Sequence, residues 1–218
     1  MNRPDLGHDE GVMPFLHREA NMHLRTLGLV LALCLGMPSG GHAQGLSSFS
    51  PDEVRRMRRG EVLVDLRDTR ESTLKDVRTV GIVPDEPDRV WDVLLDFDSY
   101  TRIFKGILKT EVRAVTPDYQ DHYSLLDYPW PFEDRWTVNR ITMSADRRRF
   151  NIRHIDGTVR EVVGGWTLEP LERGTLITYQ VRVDPGLGFL PAWAIDWGTR
   201  QAAPEIIQSV RRELDRKR

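Results

Sequence analysis

The sequence predicts an α+β fold in which a curved antiparallel β-sheet wraps around a long C-terminal α-helix. Three patterns predict it. From Ile107 onward apolar and polar residues alternate with a period of two through six short segments. Before them Val90, Trp91, Leu94, Leu95 and Phe97 recur at helical spacing. After them Trp193, Trp197, Ile207, Val210 and Leu214 mark one apolar face, which suits a helix laid lengthwise in a concave sheet.

Taken in order, Ser50-Pro51-Asp52-Glu53 opens a short basic helix, with Pro in the first turn and acids near the positive end of the dipole. Gly60 ends it. Residues 61–66 and 74–83 read as one strand interrupted by a polar turn. Pro84-Asp85-Glu86-Pro87 breaks that strand and starts a helix, since Pro87 fits a first helical position where no amide hydrogen is needed. A second short helix covers 100–104. Six strands follow near 107–115, 120–128, 134–144, 148–156, 159–169 and 174–183, parted by Pro117-Asp118, Asp146, Asp156-Gly157 and Glu172-Arg173-Gly174. In the last of them Ile177, Tyr179, Val181 and Val183 point one way, and Thr178, Gln180 and Arg182 the other. The terminal helix is expected over 191–214, with a kink at Pro204.

The first 43 residues read as an N-terminal extension and secretory signal, ahead of a short segment over 44–60 and one domain over 61–218. Arg25 supplies positive charge, Leu27 to Leu35 the apolar core, and Gly41 and Ala43 the small residues before a cut that leaves Gln44 first. Met22 is the expected start. The apolar run is far short of the ~20 residues a spanning helix requires. Cleavage would remove His8, His17, His23, His42 and the lone Cys34, leaving His122 and His154 and excluding thiol and disulfide chemistry. It would also remove three basic and four acidic residues, leaving 28 Lys+Arg against 29 Asp+Glu, a net charge of −1. Such a balance argues against a nucleic-acid partner. Arg55-Arg56-Met57-Arg58-Arg59, Arg147-Arg148-Arg149 and residues 211–218 are local basic clusters, best read as solvated faces.

Three segments sharpen the order of elements into a family resemblance. Pro87-Asp88-Arg89-Val90-Trp91 with Leu95-Asp96-Phe97-Asp98-Ser99-Tyr100 is similar to the first helix and following turn of START-like proteins. Tyr128-Pro129-Trp130-Pro131-Phe132-Glu133-Asp134-Arg135 resembles a START turn that leads into a central strand. Asp184-Pro185-Gly186-Leu187-Gly188-Phe189-Leu190-Pro191-Ala192-Trp193, with Pro204 in the ensuing helix, resembles the START strand-to-helix junction. The resemblance implies the helix-grip fold with an elongated apolar cavity, and START proper over the cyclase and hormone-receptor branches of the superfamily.

Such a cavity needs aromatic and aliphatic walls, a few polar groups and a movable mouth. The candidate lining is Trp130, Phe132, Arg135, Trp136, His154, Arg160, Trp166, Tyr179, Trp193 and Trp197. The candidate gate joins Gly186, Leu187, Gly188, Phe189 and Leu190 to an opposing lip at Phe104 and Ile107. His122 and His154 fall on different strands without a marked nucleophile, so no catalytic residue is assigned. No metal-ligand spacing or phosphate-cradling loop appears, and no cofactor is implied. The sequence therefore leads to an exported, monomeric, non-enzymatic carrier of a lipid, sterol-like or isoprenoid ligand, periplasmic or secreted, with transient membrane contact. A cyclase or hydrolase acting on a hydrophobic substrate is the alternative, and a protein-interaction module the alternative if the chain is not exported.

Overall fold

In the computed structural model, residues 45–68, 75–128, 132–187 and 192–218 are described, except for the side chains of 192–199 and 201. The expected leader over 1–43 lies outside them. Eight strands form one antiparallel sheet, β1 (Leu63–Asp68), β2 (Lys75–Val83), β3 (Ile107–Val115), β4 (Tyr119–Leu126), β5 (Arg135–Met143), β6 (Arg149–Gly157), β7 (Glu161–Pro170) and β8 (Thr175–Asp184). Their order is β1-β2-β8-β7-β6-β5-β4-β3, so the six strands predicted from Ile107 form a meander whose last strand returns to β2. The expected interrupted strand is two: β1 folds back antiparallel on β2, pairing Leu63 with Val80 and Asp68 with Lys75.

The helices are α1 (Pro51–Arg58), α2 (Pro87–Leu94), α3 (Tyr100–Ile103) and α4 (Ala192–Arg216), and α4 continues through Pro204. Ser50 caps α1 through a capping box: its hydroxyl accepts from the Glu53 amide at 3.3 Å, and the Glu53 carboxylate accepts from the Ser50 amide at 2.8 Å. This helix covers the outer face of the sheet, where Met57 is buried with Val80 and Leu176. The helix was legible; its packing face was not.

The main core lies on the concave face. Val90, Trp91, Val93 and Leu94 of α2 meet Ile207, Val210 and Leu214 of α4 over Val83, Ile141, Phe150, Trp166, Leu168 and Ile177. Each aliphatic side chain so buried contributes roughly 1.5–3 kcal/mol relative to exposure. Gly81 on β2 permits the close approach of α4, because a Cβ there would stand 3.3 Å from Ile207 Cγ2 and 3.2 Å from Arg211 Nη2. The Arg211 guanidinium then donates to the Ile82 carbonyl at 2.7 Å and the Gly60 carbonyl at 2.6 Å, fastening α4 to β2.

The basic clusters are largely consumed in internal pairs. Arg147 and Arg148, between β5 and β6, reach Asp92 and Asp88 of α2, and Arg56 pairs with Glu61. At the chain's end Lys217 meets Asp96 at 2.9 Å and Arg218 meets buried Asp85 at 2.7 Å. Arg147 and Arg148 thereby tie the β5–β6 turn to α2, and the last two residues tie the end of α4 to the chain on either side of α2. Among the described residues no helix is long and apolar enough to cross a membrane.

Candidate functional site

Strand alternation sorts side chains onto two faces. On β7 and β8, Trp166 pairs with Tyr179 and Leu168 with Ile177, all on the concave face. Their rings continue across the groove: Tyr179 lies 4.5 Å from Trp166, which lies 6.4 Å from Phe150, which meets Trp91 edge-on at 5.7 Å. Burial pushes the Tyr179 phenol up to about 12, so it stays protonated. Next to it in register, Thr79 of β2 is fully buried.

A polar row crosses the other half of the concave face. His122 on β4 pairs with Asn139 on β5, and Asn139 with His154 on β6. Thr137, one alternation away on β5, places Oγ1 2.9 Å from Asn139 Oδ1 and 2.9 Å from His154 Nδ1. A hydroxyl has one hydrogen, and here it is donated to Asn139, so Thr137 accepts from His154 Nδ1–H. His122 is 4% exposed, stacked on Phe97 at 4.4 Å and edge-on to Tyr100 at 5.4 Å. Burial lowers its pKa to about 4, so the ring is neutral at pH 7.

Three buried side-chain polar atoms among the described residues have no hydrogen-bond partner: Thr79 Oγ1, His122 Nε2 and Arg135 Nε. All three belong to concave-face positions, Arg135 through its place two and four residues before Thr137 and Asn139 on β5. Buried polar atoms are nearly always satisfied, so such a set confined to one face marks where a ligand or water would bond. Gly186, at φ 71°, closes the strand end, and its amide donates to Asp184 Oδ1 at 2.8 Å. The positive φ explains glycine there.

The structure brings together Arg135, His154, Trp166 and Tyr179 of the expected lining. Trp136 stands on the outer face instead, at 6.0 Å from the Tyr123 ring and with Leu125 as its β4 partner. Arg160 is exposed at the β6–β7 connection, its stem against Gly186, and Phe132 is half-buried before β5. Phe104 packs edge-on to Tyr100 at 4.8 Å and against the core, while Ile107 opens β3 opposite Leu126. Leu187 is half-buried. Trp130, Gly188, Phe189 and Leu190, and the side chains of Trp193 and Trp197, lie outside the described residues. Thr79, His122, Ser124, Thr137 and Asn139 join the site without having been chosen for it. Their signal was parity: 135, 137 and 139 alternate on one strand, and 122 and 124 oppose them.

Carboxylates avoid this row. Asp121, beside His122 but on the outer face, is gripped by Arg140 at 2.8 and 2.9 Å, whose hydrogen bonds hold its pKa low. Among the described residues no group of three or more His, Cys, Asp or Glu could hold a metal ion.

A curved antiparallel sheet closed by a C-terminal helix, with its polar groups turned inward, defines a helix-grip domain. Residues 83–211, more than half of the chain, match the family described as polyketide cyclase / dehydrase and lipid transport, and the chain belongs to that family. Solved structures agree on the fold. A STAR-related lipid transfer protein from Xanthomonas axonopodis superposes with a TM-score of 0.62 at 23% identity, over 71% of this chain and 93% of that one. The ZhuI aromatase/cyclase from Streptomyces gives 0.56 at 21%, over 66% and 95%. Human StAR-related lipid transfer protein 5 gives 0.57 at 15%, over 76% and 92%. An uncharacterized Pseudomonas aeruginosa protein is 36% identical over a stretch that covers 33% of this chain and only 41% of the relative's length.

Proposed function

We propose that this protein binds a hydrophobic small molecule or lipid between the concave face and α4, and carries it unchanged outside the inner membrane. The observation that carries this reading is the composition of the groove: an aromatic wall of Phe150, Trp166 and Tyr179 beside buried polar atoms that have no protein partner. Burial of apolar ligand surface would supply the driving force at ~25 cal/mol per Å². A carrier is favoured over a cyclase or hydrolase because His154 is held by Thr137, itself bonded to Asn139, and His122 packs against aromatic rings. Neither imidazole has a carboxylate beside it among the described contacts, and the hydroxyl beside His154, that of Thr137, is itself bonded to Asn139. Leu108, 50% exposed beside Ile107 and flanked by Lys105 and Lys109, supports transient membrane contact at the Phe104–Ile107 lip. Export is proposed from the leader sequence, and a monomeric state is proposed with it.

Extraction of the purified protein with organic solvent, followed by mass spectrometry of the extract, tests the reading. Release of one apolar compound that survives incubation with the protein intact is the expected result. Conversion of that compound during incubation would make the protein an enzyme.

A further inference from the structure

The concave face is built in two zones that meet at Tyr179. On the α2 side, Phe150, Trp166, Leu168 and Ile177 are at most 4% exposed, sealed beneath α2 and the C-terminal half of α4. Toward the strand end at Asp184 the residues are aliphatic and less tightly covered, and Val77, Leu126, Ile152 and Val183 are all partly exposed. Gly164 stands between Val181 and Ile152 in register there and adds no side chain. Tyr179 belongs to both zones: it packs against the sealed core and against the cluster of Val159, Val162 and Val181. It is braced on two sides. Its ring lies 4.5 Å from that of Trp166, and Tyr100 of α3 stands near enough that burial, and after it Tyr179, push the Tyr100 phenol up.

We infer that Tyr179 is the floor of the ligand chamber and sets the longest apolar ligand the protein takes. The inference rests on the carrier reading and adds a size class to it. From Tyr179 to Asp184 the strand runs about 17 Å, close to the length of an extended dodecyl chain. Beyond Tyr179 a ligand would have to displace side chains already in contact, and forcing methylenes into a closed core is unfavourable. Short of it, each methylene that meets the part-exposed aliphatic surface should tighten binding about fourfold. The chamber therefore suits a short-chain or compact apolar molecule, and a longer chain leaves its excess in water.

A series of one head group and rising length reads the floor directly: octanol, dodecanol, hexadecanol and eicosanol, delivered to the full chain from cyclodextrin and titrated with tryptophan fluorescence as the signal. Affinity should climb at least tenfold from octanol to dodecanol, then stay within about threefold through eicosanol. Tyr179→Val, which matches the aliphatic residues beside it, should carry the climb on to hexadecanol by at least another tenfold. Val181→Phe, one alternation or about 7 Å nearer the strand end, should stop it at octanol. If either variant misfolds, the wild-type series decides alone. A climb that continues through eicosanol in the wild type overturns the floor and leaves the carrier reading standing. A break in the series that neither folded variant moves puts the end of the chamber elsewhere and also overturns it. Failure of all four alcohols to bind overturns the carrier reading and this inference together.

Discussion

Arg102 of α3 and Glu213 of α4, 111 residues apart, form an ion pair in which the carboxylate is buried and the guanidinium is not. Arg216 adds two donors to the same carboxylate at 2.7 and 2.9 Å. The pair ties the last turns of the gripping helix to the short helices that roof the groove. Hydrogen bonds from Arg216 and Arg102 hold the Glu213 pKa at about 2, below its ordinary 4.5. The folded-state value is lower than the unfolded one, so the stabilisation is fully present above pH 4.5 and is lost as pH falls toward 2. Glu213→Gln should cost roughly 2–3 kcal/mol at pH 7 and almost nothing at pH 2, measured by urea unfolding at both.

His122 should set a second acid window. Its folded pKa, lowered to about 4 by burial, lies below the ordinary 6.5. Neutral His122 therefore stabilises the fold above pH 6.5, and the contribution fades as pH drops toward 4, by at most about 3 kcal/mol. Thermal unfolding of His122→Phe, which keeps a ring against Phe97, should show a flatter dependence between pH 6.5 and 4 than wild type. An identical slope would mean that burial does not lower the His122 pKa.

The strands, both roofing helices and α4 were legible because each rests on periodicity within one segment. Ile177, Tyr179 and Val181 do face the core together, as their alternation required. The partners of the charge clusters were not legible, since Arg148 meets Asp88 and Arg218 meets Asp85 across distances in sequence that no local pattern spans. Within the candidate site, aromatic character alone misdirected the choice of Trp136, which alternation with Thr137 sends outward. The same alternation pointed to Thr137 and Asn139, which polarity had made inconspicuous.

Gly164 and Gly165 on β7 let neighbouring strands approach beyond what a side chain allows. A Cβ at Gly164 would sit 2.1 Å from the Gln180 carbonyl oxygen, and one at Gly165 2.3 Å from that of Phe150. Both obstacles are backbone, so the sheet itself would have to move. Gly164→Ala should cost at least the roughly 3 kcal/mol at the top of the usual overpacking range, with loss of soluble protein at 37 °C. Circular dichroism melts of the soluble fraction check it, and a melting point within 2 °C of wild type would rule out the close approach.

Processing is tested most directly on exported protein. Gly41-His42-Ala43 after the apolar run should give a mature N terminus at Gln44, read by terminal sequencing of periplasmic or culture fractions. Intact chain recovered only from the cytoplasm would favour the protein-interaction alternative.

Gly186 offers a test of the gate. Its φ of 71° and the Thr158 carbonyl oxygen, 3.0 Å from where a Cβ would lie, both oppose a side chain. Alanine there must strain the strand end or shift it against the Arg160 stem, at a cost of order 1 kcal/mol or more. The groove wall formed by Trp166 and Tyr179 lies deeper along the same strands and should be undisturbed. Ligand affinity should thus change little while the segment's motion changes. In Gly186→Ala, transfer of the co-purified ligand between vesicles should slow by more than its equilibrium binding weakens. Transfer at the wild-type rate by a folded variant, or slowing only in proportion to lost affinity, would show that ligand leaves by another route.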